Sequence, residues 1–288
     1  METTPRLIQV VETHAQRYGA DDAALALMES LKQTYIKNKP GQDGYYGLSL
    51  KDSFERIVDI LSTGQVAQAA AYNVLKKAYD TVFAAEETVD LVEQAQWARL
   101  IEVLETEMVQ EHRRQRNLSE YLAGQIGSAE VLMLFGFNGV IDRVLRYIGN
   151  RKEQKMELLM VHLPANETAS LQILSGLKQR LPGDMVISAI RFTDVAEALA
   201  TKVDRVLLAP VGLSLELQLV VPRGGELLVS LAEQAQVPVM TPLAILDLYQ
   251  YPIRLTAAHQ VIGPSPVIQY VLATGIYAAN EVVAALGK

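Results

Sequence analysis

There is no cysteine anywhere in the 288 residues. That absence removes disulfides, thiolate nucleophiles and Cys-ligated zinc or iron–sulfur clusters together. Histidine is scarce too: His14, His112, His162 and His259 lie far apart, without the paired spacing of a metal site, and no metal or cofactor is expected. Long apolar runs are also missing. Even the rich stretch LLVSLAEQAQVPVMTPLAIL is interrupted well short of the roughly 20 apolar residues of a membrane span. The opening METTPRLIQVVETHAQRYGADD acquires acids and a histidine before any apolar run develops, so it does not read as a signal peptide. A cytoplasmic protein is the expectation. Excess positive charge is absent as well, since 26 Lys and Arg face 33 Asp and Glu for a net charge of −7. A broad nucleic-acid footprint needs a concentrated basic surface, so nucleic acid is not an expected partner.

What the chain does have is apolar residues, half of the total, against one fifth charged. That is the composition of an ordinary globular protein, long enough for two domains or one large one. The texture changes near Gly124. Before it, apolar residues recur at helical spacing: Leu7, Val10 and Val11, then Ala24, Leu27, Met28 and Leu31, then Phe54, Ile57, Val58 and Leu61. GQDGYYG interrupts them as a loop, and a long helix is expected from about Thr88 to Arg116, with its acids early and bases late as the helix dipole favours. After Glu130 strands and helices alternate. VLMLFGF, MELLMVHLP, MVISAIRF, VDRVLLAP and VPVMTP read as buried strands, separated by GVIDRVLRYIGN, SLQILSGLKQRL, DVAEALATKV and GGELLVSLAEQAQ. Strands joined by crossover helices lie parallel and are covered on both faces, which suits nearly continuous apolar runs. The fold class is therefore α/β: a helical domain over residues 1–123, then a doubly wound, mostly parallel Rossmann-like domain over residues 124–288.

Several stretches of this second part carry a resemblance. LSEYLAGQIGSAEVLMLFGFNGVIDRVLRYI, LPGDMVISAIRFTDVAEALATKVDRVLLAPVG and GGELLVSLAEQAQVPVMTPLAILD are similar to the family of the α, β and δ subunits of translation initiation factor 2B. Methylthioribose-1-phosphate isomerase and ribose-1,5-bisphosphate isomerase are relatives within that family. The likeness covers about the last 170 residues, and the helical part only in general pattern. It implies the fold just described and a dimer made through the α/β domains.

The departures bear on chemistry. After VDRVLL the family places a Gly-Ala-Asp whose carboxylate serves the isomerases; here Ala209, Pro210 and Val211 stand there. A family cysteine after the first strand has Gly136 as its counterpart, and a family Asn and Lys fall on Val221 and Pro222.

The residues themselves leave a short set of candidates. In PRGGE, Gly224 and Gly225 free the backbone at the start of a helix whose N–H groups attract phosphate, with Arg223 adjacent; a plain tight turn explains them equally, and Glu226 would repel an anion. The corner formed by Gly136, Asn138 and Gly139 lies where open α/β sheets hold ligands, and a plain turn is again the alternative. His162 ends a strand near the same cleft, as a binding or proton-donating group or as a structural histidine. HRRQR, His112 to Arg116, would suit RNA or a nucleotide phosphate, but at the end of an acidic-to-basic helix it reads rather as a solvated last turn. Tyr45 and Tyr46, between glycines and close to Leu48, are candidate partner-binding anchors on a loop, or a lid folded over the helices. The C-terminal apolar set Val261, Ile262, Val267, Ile268, Val271, Leu272 and Ile276 suits a subunit surface, or completes the core.

Isomerisation of a sugar phosphate moves protons between adjacent carbons and needs titratable groups held at the reacting atoms. No such pair is in view, so no catalytic residue is assigned. The expectation is a non-catalytic regulatory or scaffolding protein acting through protein–protein contacts. It would be a homodimer with a further protein partner, and with at most a weak site for a nucleotide or sugar phosphate. The alternative is a sugar-phosphate isomerase with relocated groups drawn from His162, Arg191, Asp194 or Glu226.

Overall fold

Apolar residues three and four apart become the buried faces of helices in the first part of the chain, as their spacing requires. The computed structural model describes residues 20–37, 50–62, 69–84, 93–150, 156–162, 167–181, 185–243, 248–249, 255 and 257–286. The chain divides into two compact units, Met1–Arg113 with Leu246–Arg254, and Arg114–Ile245 with Leu255–Lys288.

The first unit contains α1 (Ala20–Lys37), α2 (Leu50–Ser62), α3 (Ala69–Tyr79) with a π-helical turn at Asp80–Ala84, and the beginning of α4 (Glu93–Gln125). Leu27, Met28, Leu31, Phe54, Leu61, Leu75, Leu100 and Leu104 form its core. Phe83 packs on both Phe54 and Tyr79, with ring centroids 6.0 and 5.5 Å away. The helix α4 runs past the HRRQR stretch and ends only at Gln125, so those residues lie within a helix and not at its last turn. The acid-to-base gradient marked no terminus because no chain-breaking residue follows Arg116 until Gly124.

The second unit is the sheet domain. Its strands are β1 (Val131–Phe135), β2 (Glu157–His162), β3 (Val186–Arg191), β4 (Arg205–Leu208), β7 (Val239–Pro242), β10 (Ile268–Leu272) and β11 (Gly275–Tyr277). They form a seven-stranded sheet in the order β11-β10-β7-β4-β1-β2-β3. Every neighbouring pair in it is parallel except β10 with β11. The crossovers carry α5 (Gly139–Gly149), α6 (Glu167–Arg180), α7 (Val195–Thr201) and α8 (Gly225–Ala235), and α9 (Ala279–Leu286) follows the last strand. One face of the sheet buries Leu132, Leu134, Leu158, Met160, Leu207, Met240 and Val271 against Leu118, Leu122, Val140 and Val144. The alternate residues Met133, Phe135, Leu159, Val161, Val206, Leu208 and Val239 are buried as well, and burial of both faces is the reason for the nearly uninterrupted apolar strands.

Between β4 and α8 lies something the sequence does not announce. β5 (Gly212–Ser214) and β6 (Leu219–Pro222) pair antiparallel, and β6 pairs in turn with β9 (His259–Ile262), outside the main sheet. A further two-residue strand, β8, is Leu248–Tyr249. The stretch expected to be a ligand loop is therefore largely hydrogen-bonded structure. Of the C-terminal apolar set, Ile262, Ile268, Val271 and Leu272 are buried within this chain, Val261 and Val267 are half-buried, and Ile276 is exposed. Among the described residues no helix is long and apolar enough to cross a membrane.

Candidate functional site at the carboxyl ends of the strands

The chain passes from β1 outward to β2 and β3, then returns to β4 on the other side of β1 and continues to β7 and β10. Strand order reverses between β1 and β4, and the crevice outside the carboxyl ends at such a point is where open α/β sheets receive ligands. Here those ends are Phe135–Gly136 and Leu208–Ala209.

The first corner follows β1. Gly136 has φ +77°, which favours glycine, and a Cβ added there would come within 3.0 Å of both the Ala209 Cβ and the Pro222 Cγ. The ends of β1, β4 and β6 thus meet in apolar contact. Asn138 caps α5: its Oδ1 accepts from the Ile141 N–H at 2.9 Å, and its carbonyl accepts from the Asp142 N–H at 3.0 Å. The side chain expected to face a ligand is engaged in holding its own helix. Asp142, in the first turn, pairs with Arg146 and, at 3.2 Å, with Arg180.

The second corner is the PRGGE turn. Gly224 is the N-cap of α8, with φ +99°, and its missing Cβ would meet the Phe192 ring at 3.2 Å and the Phe135 ring at 3.4 Å. A Cβ on Gly225 would collide with the Val221 Cγ2 at 2.5 Å. The first glycine thus answers a left-handed turn and the second a close approach of helix to strand. Two backbone donors of the turn are engaged as well. Arg223 N–H bonds to the Ala258 carbonyl at 2.8 Å, and Gly224 N–H to the Gln260 Oε1 at 3.0 Å. The Arg223 Nη1 lies 3.4 Å from the Ala257 carbonyl, and Glu226 is exposed in the first turn. The Phe135 and Phe192 rings meet at a tilt of 60° with centroids 6.1 Å apart, completing an apolar floor.

The remaining candidates are placed as follows. His162 ends β2 in register with Arg191 of β3, so it stands two strands from β4 across the sheet. Asp194 is exposed in the 3-10 turn before α7, where it accepts from the Thr193 hydroxyl at 2.9 Å. The structure gathers Gly136, Ala209, Pro222, Phe135, Phe192, Gly224 and Gly225 into one contact group, of which neither His162 nor Asp194 is part. Tyr45, Tyr46 and Leu48 lie outside the described residues. Beside the second corner, His259 is opposite Pro222 in the β6–β9 ladder, and burial lowers its pKa from the ordinary 6.5.

Sequence reasoning passed over one residue here. Gln115 and Ser119 are fully buried on α4. The Ser119 hydroxyl donates to the Gln115 carbonyl at 2.7 Å and lies 3.5 Å from the Val140 carbonyl, which places this face of α4 at the start of α5. Neither polar atom of the Gln115 side chain has a partner among the described residues. Flanked by Arg114 and Arg116, it reads in the sequence as part of a solvated face. Among the described residues no group of three or more His, Asp or Glu is placed to hold a metal ion.

No protein-family profile matches the sequence, and no curated protein matches it. Solved structures do. The chain is similar to a chain of the tetrameric eIF2B β2δ2 complex from C. thermophilum, with 13% identity, TM-score 0.70, and coverage of 98% of this chain and 94% of that one. It is similar to the translation initiation factor eIF-2B of Pyrococcus horikoshii OT3, with 12% identity, TM-score 0.71, and coverage of 95% and 97%. It is likewise similar to eIF2B δ from Chaetomium thermophilum, with 10% identity, TM-score 0.72, and coverage of 93% and 95%. The resemblance seen in its strands and loops thus extends along nearly the whole chain, which has the fold of the eIF2B-type proteins.

Proposed function

We propose that this chain is a non-catalytic regulatory or scaffolding protein of the cytoplasm that acts through protein–protein contacts. The observation that carries the proposal is the contact of Gly136 with Ala209 and Pro222 at the reversal of strand order. The resemblance would put a thiol at Gly136, a lysine at Pro222 and a carboxylate at Val211, two residues past Ala209. Groups without a titratable proton cannot act as general acid or base, and fold-level likeness does not supply them. A residual site for a phosphorylated ligand would rest on Arg223, Gly224, Gly225 and Glu226 with Gly136, Asn138 and Gly139, and His162, two strands from β4, is its outlying candidate. Its affinity is expected to be weak, because the Arg223 and Gly224 N–H groups are already bonded and Glu226 repels anions.

The chain is expected to act as a homodimer, the commonest closed assembly, with Tyr45, Tyr46 and Leu48 reaching a different protein. The expectation of self-association is supported by one of the similar chains, which comes from a tetrameric complex. Co-expression of tagged and untagged copies tests both parts. The tagged copy should retain the untagged one, and Tyr45→Ser with Tyr46→Ser should release other captured proteins without shifting the melting temperature. A monomer, or a capture pattern indifferent to the tyrosines, would refute the corresponding part. The second reading, an isomerase with relocated groups, is favoured only by the pairing of His162 with Arg191 at the ends of β2 and β3.

A further inference from the structure

We draw no further inference here: the strongest candidate, the Gln115 carboxamide on α4 beside the start of α5, buried and without a partner among the described residues, is enclosed with no exposed surface to receive a guest, and no second observation points to a ligand there.

Discussion

The two ends of the parallel sheet are built from different chemistry. At the amino ends, Asp204 accepts the Val131 N–H at 2.7 Å, Arg205 pairs with Glu130 at 2.9 Å, and Lys202 pairs with Glu157 at 3.2 Å. Charged side chains there tie β1, β2 and β4 together. At the carboxyl ends of β1 and β4 stand Phe135, Gly136 and Ala209, with Pro222 of β6 close to Gly136 and Phe192 against Phe135. Enzymes of this architecture gather their reacting groups at the carboxyl ends and leave the amino ends to stability. In this chain that end carries apolar contacts, with Phe135, Ala209 and Gly225 buried and Gly136, Phe192, Pro222 and Gly224 half-buried, and the comparison teaches that the two ends of one sheet can be held by different forces.

The largest effect should come from opening the apolar end. Phe135 is fully buried, and Phe135→Ala should cost about 3–5 kcal/mol in urea unfolding, since the aromatic floor under Gly224 and Gly225 would be lost. If the phenyl ring instead lined an open ligand cleft, the loss would be below about 1 kcal/mol, and the contrast between the two ends would fail.

A smaller effect is expected at the other end. Asp204→Ala removes the acceptor of the Val131 N–H from an exposed site, and should cost about 1 kcal/mol by the same measurement. A cost equal to that of Phe135→Ala would mean that the amino-end charges, rather than the carboxyl-end packing, dominate the stability of this domain.

Much of this was legible in advance, for physical reasons that differ by residue. The strands of the main sheet are buried on both faces, so VLMLF, and VLL after Arg205, announce themselves as unbroken apolar runs. The β5–β6 hairpin does not. Its turn places Leu217 at φ +63°, where Gly or Asn would have signalled a turn, and Ser214 does the closing by accepting from the N–H groups of Glu216 and Gln218 at 3.2 and 3.1 Å. The two glycines of PRGGE read as phosphate chemistry because a short motif cannot say whether the missing Cβ makes room for a ligand or for a ring. Phe192 supplies the ring from 32 positions upstream (224 − 192), beyond any local pattern. Glu107, Glu111, Gln115 and Ser119 recur every four residues, as core positions do, yet their polarity reads as a solvated stripe; all four are buried, and Glu107 meets Lys77 at 2.7 Å.

The smallest effect concerns pH. His259 has its pKa lowered by burial, so the unfolded chain takes up the proton first as pH falls through the ordinary 6.5. Stability from keeping this ring neutral is present above that value and declines as pH drops toward the lower pKa of the folded state. The drop in urea midpoint from about pH 7.5 to about pH 5.5 should be smaller in His259→Gln than in the natural chain. Identical slopes would show that the second corner does not exclude water from the imidazole.

The most direct test of an apolar, chemistry-free carboxyl end is to incubate the purified protein with methylthioribose 1-phosphate and with ribose 1,5-bisphosphate and to follow both by proton and phosphorus NMR. The sugar phosphates should remain unchanged over many hours, with resonances no broader than in buffer. Reproducible conversion of either compound by the natural chain, abolished in His162→Ala, would contradict the account and install the isomerase reading in its place.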